Sequence, residues 1–164
     1  MLSKTILNAF DTQIKNELEA AYLYLSMSSY CNALNFPGFS KWLRTQAQEE
    51  LGHGMKLFDY VHHRGSNATL QAIAEPKASF KDIVEVFDVV YEHEKKVTAL
   101  IHKLYEAALK ENDYASQIEL QWFITEQVEK EQTASMIVEQ LKMIGDNKAM
   151  LLMMDRQMGT RGVA

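Results

Sequence analysis

The sequence predicts an all-α protein: two antiparallel helix pairs joined by one long crossover into a four-helix bundle, followed by a short fifth helix. Three observations predict it. Two prolines and seven glycines in 164 residues leave few helix breakers, while Leu, Ala, Glu and Met are abundant. Four stretches each carry an apolar stripe at alternating spacings of three and four, which lie along one helix face turned to a core. The second and third stripes are separated by an aperiodic segment from Ser66 to Ser79 that contains Pro76. Extended chain of that length, about 14 residues, can traverse a bundle, whereas a short turn returns the chain antiparallel.

The first helix is expected from Thr5 to Leu34 on the stripe Leu7, Phe10, Ile14, Glu17, Ala21, Tyr24, Ser28 and Cys31, and Asn35-Phe36-Pro37-Gly38 breaks it. The second is expected from Phe39 to Arg64 on Phe39, Leu43, Gln46, Glu50, His53, Leu57 and Tyr60, with Gly65 at its end. Ser79 followed by Asp82 offers a capping start for the third, which carries Ile83, Phe87, Val90, Glu94, Val97, Ile101, Leu104 and Ala108 and continues to Lys110. Glu111-Asn112-Asp113 turns into the fourth, from Tyr114 to Ile144 on Leu120, Phe123, Gln127, Lys130, Ala134, Ile137, Leu141 and Ile144. Gly145-Asp146 stops it. Asn147 to Met158 reads as a fifth helix before a loose tail, and its face of Met150, Leu151, Met154 and Met158 is expected at a subunit contact because the four stripes already fill a core. The whole chain, 1–164, is one domain, with the bundle at about 5–144.

Each stripe turns polar near its middle. A carboxylate on a core face is costly unless something compensates it. Glu17, Glu50 and Glu94 interrupt three stripes at similar depths, so in a bundle they meet in one layer with His53. Glu50 and His53 form a Glu-x-x-His pair on one helix face. Carboxylate oxygens with one imidazole suit iron, manganese or zinc, and a shared carboxylate can bridge two ions. Glu17, Glu50 and His53 would hold one ion, and Glu94 would serve a second through Glu50. Without metal, some of these carboxyls must be protonated to lie so close together. A second acidic group, Glu49, Glu126 and Glu129, lies one position off the stripes and could hold a third ion; solvated surface glutamates are the plain alternative.

Tyr24 falls two turns beyond Glu17 and is open to three roles: a hydrogen bond to a ligand carboxylate, electron donation, or core packing with a satisfied hydroxyl. Trp122 borders the same layer. His62, His63, His93 and His102 lack comparable partners and read as surface or packing histidines.

Seventeen basic against twenty-two acidic side chains give a net charge of −5, with no basic patch sized for nucleic acid. The mild acidity suits cationic partners, metal ions included. The single cysteine, Cys31, cannot form an internal disulfide and reads as a packed thiol in a reducing compartment. Met1 to Gln13 has no basic stretch leading into an apolar run, and no window nears the roughly 18 apolar residues of a membrane span. The expectation is a soluble, cytoplasmic protein without membrane partners.

The chain resembles the prokaryotic non-haem ferritins over essentially its whole length. The blocks that carry the likeness are Asn16-Glu17-Leu18, Gln48-Glu49-Glu50-Leu51-Gly52-His53, Tyr91-Glu92-His93-Glu94, and Leu120-Gln121-Trp122-Phe123 through Glu126-Gln127-Val128-Glu129. The resemblance implies the ferritin-like bundle and a homo-oligomeric hollow shell of 24 subunits. Such a shell oxidises Fe(II) with O2 or H2O2 and stores the ferric mineral. It implies iron at Glu17, Glu50 and His53, a second iron at Glu50 and Glu94 with Gln127 close by, and a third site at Glu49, Glu126 and Glu129. The fifth helix would line the four-fold axis. Three-fold pores would lie near the start of the fourth helix, where Asp113 and Glu119 are the acidic candidates. Haem-containing relatives use a methionine where this chain has Gly52, so no haem is expected.

Lys130 departs from the family, which usually has glutamate there. Lying on the inward stripe one turn beyond Gln127, its ammonium is expected to reach toward Glu94 or Glu129 and compete with a cation, or else to snorkel away toward the inner cavity. Two alternatives to an iron-oxidising cage follow: a storage or structural shell whose oxidation centre Lys130 impairs, and a di-iron oxidase that builds no cage. The apolar fifth helix argues against the second.

Overall fold

A computed structural model describes residues 1–161, so the last three residues of the expected tail lie outside the described residues. The described residues form five α-helices and no strand: α1 Lys4–Ala33, α2 Pro37–His63, α3 Ile83–Lys110, α4 Tyr114–Ile144 and α5 Lys148–Met158. The predicted all-α bundle with one long crossover and a short fifth helix is the observed fold. Four helix starts are capped in the usual way, by a side-chain oxygen that accepts a free N–H of the first turn. Ser3 accepts from Ile6, Asp82 from Glu85, Asp113 from Ser116 and Asn147 from Met150.

α2 begins two residues earlier than the sequence suggested. Pro37 was read as part of a breaker, but it sits in the first turn of the helix, where a missing N–H costs nothing. Phe36 offers no side-chain cap. The acceptor comes from far along the chain: Asp155 Oδ1 on α5 takes the Phe39 N–H at 2.8 Å, and Asp155 is buried. The approach is so close that a Cβ on Gly38 would lie 1.6 Å from the Asp155 carbonyl oxygen. Only glycine fits there.

α1 pairs with α2 and α3 with α4, and α1 also packs along α3. The crossover runs beside α1, held at one end by the Thr69 N–H donating to Asp11 Oδ1 at 3.1 Å. At the other end Ser26 Oγ donates to the Lys77 carbonyl at 2.8 Å. The core divides in two. One apolar cluster is built on Met27, Phe39, Leu43, Phe87, Ile137 and Leu141, the other on Ile6, Phe10, Leu57, Ile101, Leu120 and Phe123. Between them lies a buried polar layer of Gln13, Glu17, Gln46, Glu50, His53, Glu94 and Gln127.

The fifth helix corrects one expectation. Its apolar face is not wholly left for another subunit, because Met154 belongs to the first core cluster and Leu151 and Met158 pack against it. Met150, Leu152 and Met153 stay exposed. No helix among the described residues is long and apolar enough to cross a membrane.

Candidate metal centre

Glu17 on α1 and Glu50 and His53 on α2 meet in the buried layer. Among the described residues they are the group of three whose potential ligand atoms all lie within 4.8 Å of one another. His53 Nδ1 stands 3.4 Å from Glu50 Oε2 and 3.8 Å from Glu17 Oε2. Glu17 Oε2 is buried and has no hydrogen-bond partner, although its other oxygen accepts from Gln13 Nε2 at 2.7 Å. An orphaned buried carboxylate oxygen is costly, and a cation would satisfy it. The donor set of two carboxylates and one imidazole is chemically suited to Fe(II).

Two glutamines orient these ligands. Gln13 lies four residues before Glu17, and Gln46 four before Glu50, to which its Nε2 donates at 2.7 Å. The sequence reading gave neither a role. The signal was available, since Gln-x-x-x-Glu occurs at both sites and places the amide one turn from the carboxylate.

Burial, reinforced by the Glu50 charge, pushes Glu17 well above the usual carboxylate range. Burial also opposes ionisation of Glu50, but hydrogen bonding with His53 and the Lys130 ammonium overcome it and hold Glu50 well below that range. The two carboxyls are therefore pushed apart, burial favouring the proton on Glu17 and the partners of Glu50 favouring its charge.

Glu94 on α3 faces the same layer but is not in the three-residue group. Both its oxygens have donors: Oε1 accepts from the Tyr24 hydroxyl, and Oε2 accepts from Gln127 Nε2 at 3.1 Å. Burial and then the charge of Glu50 raise its carboxyl despite these partners and Lys130. Tyr24 is fully buried, and burial and the Glu94 charge push its phenol up. Of its three sequence roles, the structure displays the hydrogen bond to a candidate ligand carboxylate. Trp122 packs edge-on against His53, with ring centroids 5.1 Å apart.

Lys130 does not reach for Glu94 or Glu129, nor does it turn out to solvent. Its ammonium pairs with Glu50 Oε1 and lies 3.4 Å from His53 Nδ1, with 9% of the side chain exposed. Burial would lower an isolated lysine, but Glu50 and Glu94 outweigh it and raise the ammonium above its ordinary value.

Glu49, Glu126 and Glu129 line a cavity of about 400 Å³ that also reaches His53, Glu94 and Lys130. Their oxygens do not converge into a ligand set among the described residues. Glu49 is instead gripped by Arg161, whose Nη2 donates to both carboxylate oxygens at 2.8 Å while Nη1 donates to Gln46 Oε1 at 2.9 Å. The guanidinium lies over Trp42, 4.5 Å from the ring centre. The sequence reading left Arg161 in the loose tail, and no local pattern links it to Glu49.

Two further observations concern residues outside the centre. His93 takes the packing role of the two expected for it: it is half-buried, its Nε2 is buried without a hydrogen-bond partner, and its ring meets Tyr24 edge-on with centroids 5.8 Å apart. Burial lowers its basicity. The acidic pore candidates are both engaged within the subunit, Asp113 with Arg64 at 2.9 Å and as a helix cap, Glu119 with Lys56 at 3.3 Å.

Comparison with known proteins agrees with the fold. The sequence profile of the Ferritin-like domain matches residues 7–144. A bacterial non-haem ferritin of Staphylococcus haemolyticus is 38% identical over 161 residues, covering 98% of this chain and 97% of its own length. The open-pore ferritin of the hyperthermophilic archaeon Archaeoglobus fulgidus superposes with a TM-score of 0.97 at 45% identity, over 98% of this chain and 99% of that one. An engineered closed form of the A. fulgidus ferritin superposes at 0.98 with 44% identity over the full length of both. The chain thus belongs to the ferritin family, with bacterial non-haem and archaeal ferritins as its relatives.

Proposed function

We propose that this protein is the subunit of a cytoplasmic iron-storage shell that takes Fe(II) as its substrate, oxidises it within the subunit with O2 or H2O2 and keeps it as ferric mineral.

 The observation that carries this reading is the buried meeting of Glu17, Glu50 and His53, with one carboxylate oxygen left unpartnered. In this reading Fe(II) is bound there as substrate. Its partners favour the ionised form of Glu50, and Glu17, whose proton burial favours, would have to be ionised to take the ion. Gln13 and Gln46 keep the two carboxylates oriented, and His53 supplies the nitrogen ligand. Glu94, with Tyr24 and Gln127, forms the wall where a second ion would share Glu50. Glu49, Glu126 and Glu129 line the way into the adjoining cavity. Gly52 stands where the resemblance places a methionine in haem-containing relatives, so the reading includes no haem.

Assembly into a 24-subunit shell follows from the family resemblance and is supported by exposed apolar side chains. Tyr22, Leu25, Leu51 and Ile73 form one such face beside α1 and α2, and Met150, Leu152 and Met153 form another on α5. Faces of this kind mark protein contacts. A second reading, a shell subunit with an impaired oxidation centre, is favoured by the pairing of Lys130 with Glu50. The experiment that separates the two is anaerobic addition of Fe(II) followed by air. Rapid growth of ferric absorbance in a particle of several hundred kilodaltons supports the oxidising shell. Slow oxidation, no faster than that of Fe(II) in buffer, supports the impaired one, and a small oligomer refutes both.

A further inference from the structure

We propose that the Lys130 ammonium is the resident occupant of the second cation position, so that the centre takes a single divalent ion tightly. The proposal rests on the reading of Glu17, Glu50 and His53 as an iron site. A second ion sharing Glu50 needs a free oxygen from Glu50 and another from Glu94. Neither is free. Glu50 Oε1 accepts from both Lys130 and Gln46, while Glu94 gives one oxygen to Tyr24 and the other to Gln127. The first position differs: Glu17 Oε2 has no hydrogen-bond partner and faces His53.

Charge balance points the same way. Three buried carboxylates are neutralised by one divalent ion together with one ammonium. A second divalent ion would leave two uncompensated positive charges in a layer closed above and below by apolar clusters. Lysine suits this role, since its ammonium is a compact point charge on a flexible stem. The adjoining cavity, lined by Glu126 and Glu129, gives the side chain somewhere to go when a second ion does force entry. Repulsion from the ammonium is expected to weaken the second ion by about two decades in affinity.

The test is an anaerobic Co(II) titration of the assembled protein, read by equilibrium dialysis and by electron paramagnetic resonance. Wild type is expected to bind one tight Co(II) per subunit, lost in Glu17→Gln. Lys130→Met removes the charge without adding a ligand and should tighten the second ion by about two decades, with spin coupling between the two ions. Lys130→Glu should do the same, and adding Glu94→Gln to either variant should abolish the gain. Two equally tight ions in wild type, unchanged in Lys130→Met and Lys130→Glu, would overturn the proposal and leave the iron site standing. So would a gained ion that survives Glu94→Gln. No tight ion in wild type, or a tight ion indifferent to Glu17→Gln, would overturn the site reading itself.

Discussion

Asp155 accepts a hydrogen bond from the Phe39 N–H at 2.8 Å, so the fifth helix caps the second across 116 residues of sequence. The acceptor is buried and replaces the side-chain cap that Phe36 cannot give. Asp155→Ala leaves a buried N–H unpaired, which costs about 1–3 kcal/mol. Asp155→Asn keeps an acceptor oxygen and should cost less. Chemical unfolding of both variants measures this, and equal stability of all three proteins would contradict the capping role.

The same contact changes what deletion of the fifth helix should do. From sequence, removal of Asn147 to Ala164 leaves the four stripes untouched. The structure adds the loss of Met154 from the core and of the α2 cap. The truncated bundle is therefore expected to fold but to melt several degrees lower, and to assemble into an altered or weaker particle. Analytical ultracentrifugation and thermal unfolding check both parts, and a particle of unchanged size and stability would contradict them.

Glu17 supplies a pH dependence. Its carboxyl is raised in the folded state, by burial and then by Glu50, so the folded protein holds a proton that the unfolded chain releases. Stability of the metal-free protein falls as pH rises from the ordinary carboxylate value toward the raised one. Glu17→Gln removes that loss. The variant should therefore gain most over wild type near neutral pH and least near about pH 4, where both states of Glu17 are largely protonated. Melting curves across that range give the answer, and a gain independent of pH would contradict the assignment.

Arg161 and Glu49 form a bidentate pair at the mouth of the cavity, with the guanidinium over Trp42. A cation can use Glu49 only by displacing the arginine. Arg161→Ala should thus strengthen weak Zn(II) binding several-fold and shift Trp42 fluorescence before any metal is added. Glu49→Gln should erase the gain in Zn(II) binding. Isothermal titration of the three proteins is the measurement.

The helices and the polar layer were legible because both follow from periodicity. Glu17, Glu50, His53, Glu94 and Gln127 sit on stripes, and a stripe fixes which side chains face inward. What was not legible depends on contacts between distant segments. Nothing near Phe36 announces that Asp155 will cap α2, and nothing near Arg161 announces Glu49. Lys130 lies between these cases. Its inward direction could be read from the stripe, but its pairing with Glu50 on α2 rather than with Glu94 on α3 is a contact between helices that the stripe does not contain. His93 sits one residue from the stripe position Glu94, and its edge-on contact with Tyr24 joins two helices, which the α3 pattern alone does not contain.

In the proposed function Glu50 is the ligand that Fe(II) oxidation depends on most, since it meets both Glu17 and His53. The most direct test compares the initial rate of Fe(II) oxidation in wild type and Glu50→Ala, with particle size measured on the same samples. The expected result is an intact particle whose fast oxidation is lost. An intact Glu50→Ala particle that oxidises Fe(II) at the wild-type rate would contradict the account.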